Sequence, residues 1–216
     1  MERVITKAKV DPIMVNSNLF GLLLAGGQSR RMGRDKASLS YDGRSQPERV
    51  AKLLKTQCQE VFVSLRVGQE TPDGVRNLPI VLDSAERSGP MAGILSAFRE
   101  KPSAAWLVVA CDLPLIDSAT LDNLVENRDP THVATAYRSS SDSLPEPLFA
   151  IYEPHAVDIL LDFESQGIFC PRKILISSKT HLLDPVNPRA LENVNTPQDY
   201  EAILQNLSTE NSIETG

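Results

Sequence analysis

The chain alternates between two hydrophobic rhythms. Phe20–Ala25, Val61–Leu65, Pro79–Leu82 and Ala105–Ala110 are short, nearly unbroken apolar runs bounded by turn residues. Such runs predict buried β-strands. Between them the apolar positions follow helical spacing. Met91, Ile94, Leu95 and Phe98 fall at i, i+3, i+4, i+7, and Val50, Leu53, Leu54 and Leu121, Leu124, Val125 give shorter stripes of the same kind. Pro47 and Pro90 stand where helices begin, since a first-turn residue needs no N–H donor. Asp117 or Ser118 caps the helix that carries Leu121. Strand and helix thus alternate through the first 130 residues or so, which predicts an α/β protein with a doubly wound, mostly parallel sheet and helices on both faces. Ala105–Ala110 is the most apolar run and is expected to be central. Ligands of such sheets sit beyond the carboxyl ends of the strands.

The second part has a different grain. Val133–Tyr137 and Leu148–Tyr152 read as strands flanking a serine-rich loop at 138–147. A helix follows Pro154, with Ala156, Ile159, Leu160 and Phe163 facing inward, and Gly167 interrupts the chain. Cys170–Ile176 is basic and apolar, and its pattern assigns it no type. Thr196-Pro197 starts a last helix with Tyr200, Ile203, Leu204 and Leu207 buried. The expected division is an arm at 1–17, one domain at 18–207 and a polar, disordered tail at 208–216.

Composition narrows the functional classes. A chain of 216 residues with 41% hydrophobic content suits one globular domain. A net charge of −6 argues against broad nucleic-acid binding. Cys58, Cys111 and Cys170 show neither a disulfide framework nor zinc-ribbon spacing. No signal segment and no run of membrane-spanning length is present, so the reading is a cytoplasmic protein with reduced thiols and no membrane partner.

Two places carry chemistry. The run Phe20–Ala25 breaks at Gly26-Gly27 into a loop containing Arg30, Arg31, Gly33 and Arg34 and ending at Lys36. Glycines let backbone lie close against a ligand, and successive backbone N–H groups form an anion nest. With Arg31 and Lys36 the loop reads as a polyphosphate cradle. It is neither a Walker A loop nor a dinucleotide fingerprint. Asp112 directly follows the most apolar strand, where a carboxylate is costly unless it is paired or metal-bound. It reads either as a magnesium ligand or as a turn or helix cap. Asp83 also ends a strand. The glycines of Ser88-Gly89-Pro90-Met91-Ala92-Gly93 serve either close approach to a base or ribose, or close packing. Cys111 reads as a buried filler, because His132, His155 and His181 show no sequence pairing that would activate a thiol.

Leu24-Ala-Gly-Gly-x-x-x-Arg-Met-Gly-x-Asp-Lys36 resembles the signature of the molybdenum cofactor guanylyltransferase family. Gly89–Gly93, Glu146–Tyr152 and Glu192-Asn-Val-Asn-Thr-Pro197 resemble further segments of that family, so the likeness spans residues 19 to 205. It implies a Rossmann-like fold of the nucleotide-diphospho-sugar transferase type. It implies transfer of GMP from GTP to the terminal phosphate of molybdopterin, with release of pyrophosphate and with magnesium, or manganese in its place. The backbone of Leu24, Ala25 and Gly26 is then expected to read guanine. Gly27, Gly33, Arg31 and Lys36 would hold phosphates, Asp83 and Gly89 would line the nucleotide, and Asp112 would hold the metal. Asn193 and Asn195 are implied to face the pterin acceptor, beside the alternative of turn and cap chemistry. Arg172 and Lys173 bind acceptor phosphate or are simply solvated. Transient contact with other cofactor-biosynthesis proteins is a further implication. The rivals are the same chemistry with CTP or a sugar phosphate, and a non-catalytic module that binds and delivers the cofactor.

Overall fold

A computed structural model describes residues 18–26, 40–41, 44–83, 89–193 and 201. The arm at 1–17, the tail at 208–216 and the last helix except Glu201 lie outside the described residues. In chain order the elements are β1 (Leu19–Leu24), β2 (Ser40–Tyr41), β3 (Arg44–Ser45), α1 (Gln46–Gln57), β4 (Val61–Leu65), β5 (Ile80–Leu82), α2 (Pro90–Glu100) and β6 (Ala105–Ala110). Then come α3 (Ser118–Glu126), β7 (Ala134–Arg138), β8 (Pro145–Tyr152), α4 (Ala156–Ser165), α5 (Pro171–Ser177), β9 (Thr180–Leu183) and a 3-10 turn at Pro188–Leu191.

Seven strands form one sheet in the order β5-β4-β1-β6-β8-β7-β9. β1 pairs in parallel with β4 and β6, and β7 in parallel with β9. β8 alone among these strands is antiparallel to its neighbours. β2 and β3 form a separate small antiparallel pair.

Side-chain alternation along each strand feeds two cores. Leu19 and Leu23 of β1 join Leu107 and Val109 of β6 under α1 and α3. Phe20, Leu22 and Leu24 join Trp106 and Val108 under α2, α4 and α5. The apolar stripes explain which helix goes where. Val50 and Leu54 of α1 are fully buried, as are Ile94 of α2 and Leu160 of α4. Burying one such side chain is worth roughly 1.5–3 kcal/mol. Ser45 caps α1 through Glu48, and Asp117 caps α3 by accepting from the Thr120 amide at 2.7 Å.

The sheet agrees with the doubly wound expectation, with three differences of detail. Cys170–Ile176, left without a type, contains the helix α5, with Pro171 in its first turn. β8 begins at Pro145 and not at Leu148. β9 at the sheet edge had no apolar run to announce it, because all four of its residues are only half-buried.

Candidate functional site

The carboxyl ends of β1, β4, β5 and β6 share one rim. β1 and β6 lie side by side, with Leu24 opposite Ala110. The Cys111 amide continues the ladder by donating to the Leu24 carbonyl at 3.2 Å. Adjacent strand ends therefore put Leu24, Ala25 and Gly26 beside the turn that carries Asp112. On the other side the Ala25 amide donates to Ser64 of β4, and the Asp83 amide donates to Leu65. A Cβ on Gly26 would stand 3.2 Å from Asp83 Oδ2. Thus Gly26 and Asp83, far apart in sequence, touch at the rim.

Asp83 is buried. The Ser64 hydroxyl donates to its Oδ1 at 2.7 Å. Burial nonetheless pushes the Asp83 carboxyl above its ordinary pKa, against the Ser64 hydrogen bond and the charge of Arg66. Gln69 closes the same corner, with Nε2 donating to the Ala25 carbonyl at 2.8 Å. Neither Ser64 nor Gln69 was among the site residues expected from the sequence. Ser64 had a signal, as the one polar residue in the run Val61–Leu65.

The two glycines of the α2 start play different parts. Gly89 has φ +87°, a left-handed conformation that side chains resist, and no described residue lies within 4 Å of where its Cβ would stand. Gly93 is a packing residue. A Cβ there would overlap Ser64 Oγ and approach Leu24 Cδ2 to 2.8 Å, so only glycine lets α2 lie against β1 and β4.

Asp112 opens on a cleft of about 240 Å³ lined also by Leu113, Glu146–Phe149, Arg172, Leu191 and Asn193. Helix α1 anchors this turn. Buried Gln46 Nε2 donates to the Leu113 carbonyl at 2.7 Å, and Arg49 donates to Pro114 at 3.0 Å. The cap of α3 is Asp117, so Asp112 does not cap that helix. Arg172 forms ion pairs with Glu146 at 2.8 Å and Asp142 at 3.1 Å. Lys173 is exposed on α5 and does not line the cleft. Cys58 is half-buried among apolar neighbours, and desolvation pushes its thiol up to about 12. Such a thiol is unreactive. Gly27, Arg31, Gly33, Lys36 and Asn195 lie outside the described residues.

The donor set suits a hard cation. A carboxylate at a strand end, facing a cleft that also bears Glu146, Arg172 and Asn193, offers the kind of oxygen ligand that magnesium takes from a protein. Among the described residues no helix is long and apolar enough to cross a membrane.

The profile of the MobA-like NTP transferase domain matches residues 21–181. The chain is 32% identical to the probable molybdenum cofactor guanylyltransferase of Chloroflexus aggregans, over 91% of this chain and 99% of that protein. It is 38% identical to the molybdenum cofactor biosynthesis bifunctional protein of Synechocystis over 86% of its own length, and spans 53% of that relative. The crystal structure of molybdopterin-guanine dinucleotide biosynthesis protein A from Archaeoglobus fulgidus superposes with a TM-score of 0.72 at 23% identity, covering 88% of this chain and 99% of that one. A 2-C-methyl-D-erythritol 4-phosphate cytidylyltransferase from Thermus thermophilus shares the fold at TM-score 0.63 and 16% identity, over 85% and 98% of the two chains. The chain belongs to the MobA-like NTP transferase family.

Proposed function

We propose that this protein joins GMP from GTP to the terminal phosphate of molybdopterin and releases pyrophosphate. The family supports nucleotidyl transfer, and the relatives named molybdenum cofactor guanylyltransferase support this pair of substrates. One structural observation carries the reading. Asp112 adjoins the Leu24–Gly26 corner on one side and a cleft bearing Arg172 and Asn193 on the other. A nucleotide held at the first place and an acceptor held at the second would meet at Asp112.

The residues divide the work. The backbone of Leu24, Ala25 and Gly26 reads the base, beside Asp83 and Gly89. Gly27, Gly33, Arg31 and Lys36 hold the phosphates, and the two cations balance charge on the leaving pyrophosphate. Asp112 holds the divalent ion, magnesium by its oxygen chemistry. When bound, such an ion neutralises phosphate charge and polarises the α-phosphorus. Arg172, Asn193 and Asn195 position the acceptor. Arg172 is kept oriented by Glu146 and Asp142, which a phosphate would partly displace. Lys173 contributes long-range attraction at most, given its place outside the cleft. The acceptor phosphate is itself ionised, so no general base is needed, and the reaction rests on positioning and charge. We read residues 18–207 as the unit that performs it.

The test is pyrophosphate release from GTP, molybdopterin and magnesium by wild type and Asp112→Asn. The expected loss is on the order of a hundredfold, partly recovered at raised magnesium. Superimposable magnesium titrations would remove Asp112 from the metal site. Faster release with CTP than with GTP would overturn the base assignment.

A further inference from the structure

Three metal-ligating side chains converge at the rim opposite the Asp112 cleft. Asp129 and His132 lie in the turn between α3 and β7, and His181 is the second residue of β9. β7 and β9 run parallel with Thr135 opposite His181, so the register brings that imidazole beside the start of β7. β6 is antiparallel to β8 and β8 to β7, so β7 and β6 point the same way. The start of β7 therefore lies at the sheet end away from Asp112. Asp129 Oδ2 is 2.8 Å from His132 Nδ1. The His132 and His181 ring centroids are 5.3 Å apart. One ligand atom from each of the three side chains lies within 4.8 Å of the others.

We propose that Asp129, His132 and His181 bind a divalent transition-metal ion, zinc by preference, which clips the edge strand β9 to the turn before β7.

The turn is built beforehand. The Asp129 amide donates to Thr135 Oγ1 at 3.0 Å. The Thr131 amide and hydroxyl donate to Asp129 Oδ1 at 2.9 and 2.7 Å. That arrangement fixes one carboxylate oxygen and leaves Oδ2 turned to His132. A carboxylate is charged at neutral pH, as coordination requires. The preceding residue, Arg128, is locked to Glu153 by contacts of 2.7 and 2.8 Å. Lys179 braces the turn from β9's side by reaching the Thr131 carbonyl at 3.4 Å. All three candidate ligands are half-buried, which leaves access for an ion and for a water as fourth ligand.

Ligand chemistry separates this place from the cleft. Two imidazoles and one carboxylate favour zinc, nickel or copper, whereas magnesium favours oxygen ligands and water. The competing account is an Asp–His ion pair stacked against a second imidazole with no metal.

The experiment is calorimetric titration of the full chain with zinc chloride at about pH 7.5, above the ordinary imidazole pKa. Wild type, His181→Gln, His132→Gln and Asp112→Asn are compared, each first shown folded by circular dichroism. Wild type and Asp112→Asn are expected to take up one equivalent each with the same affinity. The two histidine variants should bind at least about tenfold more weakly. Zinc should also raise the unfolding temperature of wild type more than that of either histidine variant. Absence of saturable binding by wild type overturns the proposal. So does undiminished binding by whichever histidine variant folds, or loss of binding in Asp112→Asn, which would put the ion in the cleft.

Discussion

The two halves of the sheet are held by different physics. From β5 to β6 the strands are parallel and the strand interior is mostly apolar; among the described residues its buried polar side chains are Ser64 and Asp83 on the sheet and Gln46 and Ser96 on the covering helices. Steric fit sets that half, with Gly93 allowing α2 to touch β1 and β4. From β8 to β9 the sheet is mixed and polar anchors recur. The Tyr137 hydroxyl donates to the Thr120 carbonyl at 2.7 Å, and the Tyr152 hydroxyl to Pro147 at 2.9 Å. Arg128 and Glu153 make an ion pair with side chains 7% and 1% exposed. The Leu24–Gly26 corner therefore hangs on backbone and close packing, which tolerate little change. The mixed half hangs on directional side-chain contacts, which can be exchanged more freely.

The sharpest way to break this contrast is at Glu153. Removing one member of a buried pair leaves the other charge uncompensated, so Glu153→Ala should cost about 3–5 kcal/mol in denaturant melts. The double change Arg128→Met, Glu153→Leu should recover most of that loss, since an apolar replacement removes both desolvation costs. A double variant as unstable as the single would mean that the half depends on shape, as its partner does. Next in size is Gly93→Ala, an overpacking change expected to cost about 1–3 kcal/mol. Adding Ser64→Ala should relieve part of it, because Ser64 Oγ is one of the atoms the new methyl meets.

At Arg172, proposed to position the acceptor, the prediction inverts. Arg172 is 31% exposed, and its ion pairs are worth at most about 1 kcal/mol to the fold. Arg172→Gln should melt like wild type. It should raise the KM for the acceptor roughly tenfold, the value of a lost charged hydrogen bond, with the KM for GTP unchanged. An equal rise in both constants in steady-state assays would remove that role from Arg172.

How much could be read from the sequence follows the same division. β1, β4 and β6 announced themselves, because burial on both faces makes each a nearly continuous apolar run, and the edge strand β5 was legible from its apolar residues although Ile80 and Leu82 are exposed. The strand-end positions of Gly26, Asp83 and Asp112 followed from those runs. The mixed half was harder. Pro145 and Pro147 argue against a strand, yet β8 pairs with β6 only over Phe149–Tyr152 and leaves its first residues with one open edge, where proline is tolerated. α5 is only seven residues long, too short to display a stripe. The cluster of Asp129, His132 and His181 could not be seen because His181 reaches the others only through the β7–β9 register. Which hydroxyl faces Asp83 was equally a matter of strand order, since β4 and β5 had first to be neighbours.

The smallest expected effect concerns Asp83, the buried carboxylate of the parallel half. Burial outweighs the Ser64 hydrogen bond and the Arg66 charge, so its folded pKa lies above the ordinary 3.8. A raised carboxylate pKa means that the folded state binds its proton more tightly than the unfolded state. Its contribution to stability is complete below the ordinary carboxylate pKa and is lost as pH rises through the raised folded value. Asn cannot ionise and keeps the size, and its amide oxygen still accepts from Ser64. Apo Asp83→Asn should therefore gain on wild type in melting temperature as pH climbs from about 4 to neutrality. Melts of both proteins, without nucleotide, across that range check the sign. A difference that stays flat, or that grows in favour of wild type, would show Arg66 to outweigh desolvation. If the gain appears and GTP stabilises the variant less than wild type, the parallel half keeps a buried charge at its own cost because the nucleotide uses it.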